Sequence, residues 1–262
     1  MTQLRLTNVG KRYRRRRTGR REGFRDALSN PKSLPVRVAR FIFPERADWF
    51  WALRGVSFSA EPGEIVGLVG KNGSGKSTLL KLVARITPPT EGELELRGRV
   101  SSLLEAGAAF HPELSGRENV WLAGALAGMT RREVDAKFDA IVEFAGVGDF
   151  IETPLKHYST GMYLRLAFAV AAHLEPDIAV VDEVLSVGDA GFRARAVDRI
   201  GELARAGALV LFVSHDAALV RRMCSRLIIV RAGALDFDGG VDEGLERYER
   251  QTAEDAARDA AE

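Results

Sequence analysis

Gly70-Lys71-Asn72-Gly73-Ser74-Gly75-Lys76-Ser77 is the stretch that decides the fold class. It satisfies the spacing G-x-x-x-x-G-K-[ST]. An apolar run, Ile65 to Val69, precedes it, and a helix-forming run from about Ser77 to Ala84 follows. Glycines let such a loop curl until successive backbone N–H groups converge on one centre, and the start of the helix adds partial positive charge there. Gly70, Asn72, Gly73, Ser74, Gly75 and Thr78 are therefore expected to cradle phosphates. Lys76 is expected to reach the β- and γ-phosphates, and the Ser77 hydroxyl to help hold Mg²⁺. The sequence predicts a nucleoside triphosphate site between a buried strand and a helix.

Two further apolar runs, Ile178 to Val181 and Leu209 to Val213, read as strands buried on both faces of a parallel sheet. Strands alternating with helices predict a doubly wound α/β core. Each strand end carries a polar residue of interest. Asp182 follows the first run and is placed to support Mg²⁺; Glu183, one residue on, is placed to polarise an attacking water. His215 follows the second run and is placed to contact the γ-phosphate together with that base. Between Thr130 and Ala172 the pattern is largely helical, and Thr130 with Glu133 has the spacing of a capping box.

Toward the N-terminus, Gln3 to Val9 alternates and reads as an edge strand whose pattern breaks at Lys11. Residues 14 to about 48 form an irregular basic stretch, within which Leu34 to Phe43 has the make-up of a short amphipathic helix. Trp49-Phe50-Trp51 leads into a second strand, Ala52 to Ala60. Net charge is only +2 over 262 residues, yet Lys11 to Arg46 alone carries +10. Such a block implies an anionic partner or a solvated loop. The last stretch, Val241 to Glu262, carries −5 and shows no strand pattern, so it reads as a frayed helix or disorder.

Composition removes several classes. With 46% hydrophobic residues and one cysteine, Cys224, the chain is neither a disordered tail nor a disulfide scaffold. No apolar run approaches the roughly 20 residues of a membrane helix. The N-terminus lacks a signal-peptide pattern, so a cytosolic chain is expected.

The motifs carry a resemblance. Tyr158-Ser159-Thr160-Gly161-Met162, the helical run after it and Asp182-Glu183 resemble the signature region of ABC-transporter ATPases, across residues 1–240. Asp182 to Phe192 and Leu103 to Asn119 are similar to a narrower group, the ATPase subunits that export lipid-linked polysaccharides such as O-antigen, teichoic acid, capsule and galactan. The resemblance implies an α/β P-loop NTPase core, the ABC ATPase nucleotide-binding domain, with an antiparallel β subdomain and a helical insertion. It implies residues 1–240 as that domain, with a basic insertion at 14–50, a helical and signature subdomain at about 103–172, and an acidic tail at 241–262. Tyr13 matches the aromatic that stacks on adenine. Ser159 and Gly161 match residues that reach ATP held by a second copy in a head-to-tail dimer, and Ser186 to Asp189 match a loop that crosses between the copies. Where the family has a glutamine near metal and water, this chain has Glu105 or Ala106, of which Glu105 would bind Mg²⁺ through a water.

The function so implied is an ATP-hydrolysing motor at the cytoplasmic face of the cell membrane, bound peripherally to an integral membrane permease. Its transported substrate would be a lipid-pyrophosphate-linked glycan. Arginines of the insert suit anionic headgroups or a pyrophosphate, and Trp49, Phe50 and Trp51 suit an interfacial position. The competing expectation is a soluble ABC-type ATPase acting on nucleic acid through residues 11–46.

Overall fold

The computed structural model describes residues 3–14, 48–102, 107, 109–173, 175–182 and 189–259. The basic stretch 15–47 and its amphipathic segment at 34–43 lie outside the described residues, as do Glu105, Ala106 and residues 183–188.

Two sheets are stacked on each other. The smaller is antiparallel and consists of β1 (Leu4–Arg14), β2 (Trp49–Ala60) and β4 (Glu91–Leu96), in the order β2-β1-β4. The first strand is therefore central rather than an edge, and it runs on to Arg14. Register shifts between Leu6 and Val9, Val9 and Lys11, and Lys11 and Arg12 explain why the alternation fades. Each bulge inserts an unpaired residue and flips the facing of those beyond it.

The larger sheet holds β3 (Ile65–Val69), β5 (Val100–Ser102), β6 (Ile178–Asp182), β7 (Leu209–Val213), β8 (Arg226–Arg231) and β9 (Ala234–Gly239). The order is β5-β6-β7-β3-β8-β9, parallel except for β9. The apolar runs predicted to be buried on both faces are so: every residue of β7 is buried. Parallel pairing brings the C-terminal ends of β3, β6, β7 and β8 to one edge of the sheet, where ligands of open α/β folds bind.

The two faces of that sheet are covered differently. On one, Val66, Leu68, Leu211 and Ile228 pack against Leu4, Leu6 and Val56 of the small sheet and against Leu79 and Leu80 of α1 (Lys76–Val83). Helices alone do not cover this face, as a doubly wound sheet would require; the antiparallel sheet takes most of it. On the other face, Val69, Val181, Phe212 and Ile229 meet helices α4 (Thr160–His173), α5 (Ala190–Arg205), α6 (Ala217–Met223) and α7 (Val241–Asp259).

A third apolar cluster belongs to the helical insertion, where Val120 of α2 (Gly116–Leu126) and Phe138 and Ile141 of α3 (Arg131–Ala145) pack on Leu166 and Val170 of α4. Helix α4 is buried all round from Leu166 to Ala172, which is how it serves two clusters at once: Phe168 and Ala171 face the sheet. A helix apolar on every side belongs inside a protein. Both α2 and α3 start in capping boxes: Ser115 with Glu118, and the predicted Thr130 with Glu133.

The acidic tail is an ordered helix. Leu245 of α7 is buried in the second cluster, and its charges are paired: Arg221 with Asp242 at 2.7 Å, Arg247 with Asp236 at 3.0 Å, Arg231 with Asp255 at 2.9 Å. Two of its acids thus meet arginines distant in sequence, and of the two expected states, frayed helix or disorder, residues 241–259 take the helical one.

Candidate functional site

Residues 70–75 form the loop between β3 and α1. Its last residue, Gly75, is the N-cap of α1 at φ 114 and makes no side-chain capping bond. The first-turn N–H groups of a helix have no partner within it, and no side chain of the N-cap residue, a glycine, takes one up here. Lys76 is buried, and its Nζ donates to the carbonyls of Gly70 (2.5 Å) and Lys71 (3.1 Å). The lysine is thus folded against the loop, its charge held by two of the loop's own carbonyls. The loop is tied from outside by the Gly233 N–H, which donates to the Ser74 carbonyl at 2.8 Å.

A cleft of about 580 Å³ opens at this point. One wall is the phosphate loop and helix start: Asn72, Gly73, Gly75, Lys76, Ser77 and Thr78. A second wall is Asp182, the half-buried last residue of β6. The third is aromatic, made by Tyr13, Phe50 and Trp51. Tyr13 and Phe50 lie directly opposite each other across β1 and β2, with ring centroids 6.0 Å apart. Lys11 sits over the Tyr13 ring at 5.4 Å, and Arg12 lies 4.8 Å from the Trp49 ring. Cations over a ring face add attraction of about 0.5–1 kcal/mol at exposed sites.

The cleft matches in form what a nucleoside triphosphate needs: a π face, then curled backbone donors with a lysine, then oxygen ligands. Among the described residues no three His, Cys, Asp or Glu side chains converge as a metal cage. Ser77 and Asp182 offer one hydroxyl and one carboxylate on the same cleft. That donor set fits Mg²⁺, which keeps several waters and takes one or two protein oxygens beside phosphate.

Eight of the expected residues share this cleft: Tyr13, Asn72, Gly73, Gly75, Lys76, Ser77, Thr78 and Asp182. Gly70 and Ser74 face a different cavity beside the cleft. His215 is exposed, two residues past the end of β7, and its neighbour Asp216 caps α6. Ser159 stands at the start of α4, where its Oγ accepts from the Met162 N–H at 3.2 Å; it is exposed and outside the cleft walls. Gly161 is open, a Cβ there meeting only Ser159 Oγ at 4.0 Å. Asp189, the last residue of the expected crossing loop, caps α5 by accepting from the Phe192 N–H at 2.7 Å. That bond first, and then the Arg165 charge, hold its carboxyl below the usual carboxylate range.

Phe50 and Trp51 were not among the expected site residues. Their aromatic run suggested an interfacial position; the β1–β2 register sets Phe50 opposite Tyr13 at the cleft, and Trp51, next along β2, also lines it. The signal was Tyr13 itself, since a hairpin partner of a cleft residue lies at the cleft. The long segment between the two strands hides that register in the sequence.

Residues 53–186 match the family described as ABC transporter. The chain is 43% identical over 210 residues to the O-antigen export system ATP-binding protein RfbB of Myxococcus xanthus, covering 80% of this chain and 48% of that one. It is 43% identical over 231 residues to the RfbB protein of Klebsiella pneumoniae, covering 88% and 91%. The chain thus spans about half of the first relative and nearly all of the second. Among solved structures, the ATP-binding subunit of an ABC transporter superposes with a TM-score of 0.71 over 92% of this chain and 91% of that one, at 21% identity. This last likeness concerns the fold alone.

Proposed function

The chain belongs to the ABC transporter family, and on that premise we propose that it is the ATP-hydrolysing motor subunit of an exporter that moves a lipid-linked polysaccharide across the cell membrane. The observation that carries the reading is the single cleft that gathers Tyr13, the loop of residues 70–77 and Asp182. The O-antigen export systems to which the relatives belong supply the substrate class.

In this reading Tyr13 stacks on the adenine, the curled N–H groups and Lys76 hold the phosphates, and Ser77 and Asp182 hold Mg²⁺, which neutralises charge on the phosphates. Lys76 leaves the carbonyls of Gly70 and Lys71 to do so. Glu183 would orient the attacking water, His215 would steady the γ-phosphate, and Glu105 would support the metal through a water. The exposed start of α4 is unused by its own cleft; Ser159 and Gly161 face the ATP of a second copy arranged head to tail, with a helix N-terminus aimed at anionic oxygens. Residues 1–240 are the nucleotide-binding domain, and the insertion at 14–50 lies by an integral membrane permease at the cytoplasmic face. Among the described residues no helix is long and apolar enough to cross a membrane.

The test is co-expression with a candidate permease, followed by ATPase assay of the purified complex in lipid vesicles with and without a lipid-pyrophosphate glycan. Stable co-purification and glycan-sensitive turnover, lost in Glu183→Gln, is the expected result. Failure to associate, with turnover raised by RNA or DNA instead, would overturn the transport reading.

A further inference from the structure

Beside the cleft, and sharing Asn72, Gly73 and Ala232 with it, lies a second cavity of about 260 Å³ between the phosphate loop, the end of β8 and helix α7. Ser74 is buried in its wall, and the Ser74 Oγ has no hydrogen-bond partner among the described residues. Asp255 of α7 closes this cavity. Its carboxylate lies 2.9 Å from the Lys71 ammonium and 2.9 Å from the Arg231 guanidinium. Lys71 is the second residue of the phosphate loop, and its carbonyl is one of the two that receive the Lys76 ammonium. One residue therefore connects α7, through its side chain, to the lysine that must turn to the phosphates, through its backbone.

We infer that Asp255 is a positioning residue for the phosphate loop: by holding Lys71, helix α7 fixes the curl in which residues 70–77 receive the nucleotide. The inference rests on the reading of that loop as the phosphate site. A loop already held in its binding shape loses less freedom when ligand arrives. Coupling of this kind is reciprocal, so nucleotide in the cleft also tightens the docking of α7. The helix has other attachments that do not involve the loop. Leu245 is buried in the core, and Asp236 receives hydrogen bonds from Arg247 (3.0 Å) and Gln251 (2.8 Å). Removing the Asp255 charge therefore releases Lys71 without detaching the helix.

The experiment uses the full chain. Asp255→Asn raises the KM for Mg-ATP by about two- to fivefold, the range expected of a part-exposed ion pair, with kcat unchanged. Asp255→Glu, which keeps the charge, restores the KM. Amide exchange of residues 248–259 slows on addition of Mg-ATP to the parent protein and not to Asp255→Asn. An unchanged or lowered KM, or exchange in α7 indifferent to nucleotide in the parent, overturns the inference. So does a fall in kcat and thermal stability with no change in KM, which is the mark of a merely structural role. Lys76→Ala separates the two levels: if it still binds ATP normally, the phosphate-site reading is what fails, whatever α7 does.

Discussion

Two alanine substitutions in one loop, Gly73→Ala and Gly75→Ala, should differ sharply in cost. Both glycines have positive φ, 79° at Gly73 and 114° at Gly75, so both variants carry backbone strain of about 1–3 kcal/mol. They part company in their surroundings. A Cβ on Gly73 meets nothing within 4 Å, whereas one on Gly75 falls 2.7 Å from the Ala52 carbonyl oxygen and 2.7 Å from Leu53 Cδ2. Leu53 is wholly buried and Ala52 belongs to β2, so relief requires the strand and the loop to move apart. Overpacking of that kind adds about 1–3 kcal/mol, which brings Gly75→Ala to about 2–6 kcal/mol. In thermal unfolding without nucleotide, at about 2–4 °C per kcal/mol for a domain of this size, Gly73→Ala should lose a few degrees and Gly75→Ala about 10 °C. The site should register the same contrast. Because Ala52 and Trp51 are neighbours in the cleft wall, Gly75→Ala displaces the aromatic wall from the phosphate loop and weakens ATP binding even where protein remains folded. Equal costs for the two variants would refute the argument, since they would show that contact with β2 does not constrain the loop.

Three other outcomes follow from single residues. Asn119 is fully buried, accepts from the His111 N–H at 2.7 Å and donates to the carbonyls of His111, Leu114 and Ser115; Asn119→Ala should cost about 2–4 kcal/mol by denaturant titration, the sum of lost bonds and stranded partners. Glu118 and Glu133 are held below the usual carboxylate range, each first by the backbone N–H and then by the hydroxyl of its capping partner, Ser115 or Thr130. A lowered folded-state pKa stabilises above the unfolded value of about 4.3 and is lost as pH falls through the depressed one; amide exchange at the starts of α2 and α3, corrected for intrinsic rates, should accelerate in acid, and Glu118→Gln should remove the pH dependence at α2. Tyr13→Ala should weaken ATP binding about ten- to a hundredfold, the worth of one base stacked on an aromatic ring, while Tyr13→Phe, which keeps the ring, should bind nearly as the parent does; calorimetric titration distinguishes them.

The core of this fold was open to reading because its signals are local. A loop of fixed glycine spacing after Ile65 to Val69, and apolar runs at 178–181 and 209–213, each announce a buried parallel strand without reference to the rest of the chain. The Thr130–Glu133 capping box is likewise contained in four residues. What stayed hidden depends on pairing at a distance. The central place of β1 needs β4, which pairs Leu4 with Leu96, and its length is masked by bulges. Helix α7 is held in part by arginines on β8 and α6, distant in sequence, whereas the lack of a strand pattern alone left the stretch between frayed helix and disorder. In the site, the loop and Asp182 were legible from strand ends, whereas Phe50 and Trp51 needed the β1–β2 register. Ser159 is exposed and apart from the cleft of its own chain, so its proposed role, which needs a second copy, has no signature in the geometry of one.

Complementation between two inactive variants tests the central claim most directly, that ATP is held between the phosphate loop of one copy and the start of α4 of another. Lys76→Ala disables the loop. Gly161→Asp sets a carboxylate at the start of α4, where an added Cβ meets only Ser159 Oγ, in ordinary contact at 4.0 Å. Each variant alone should be inactive in ATP hydrolysis. Mixed, they form pairs with one intact site, the loop coming from the Gly161→Asp copy and the helix start from the Lys76→Ala copy, and turnover should return. A mixture as inactive as its components, with both variants folded and associating, would contradict the account.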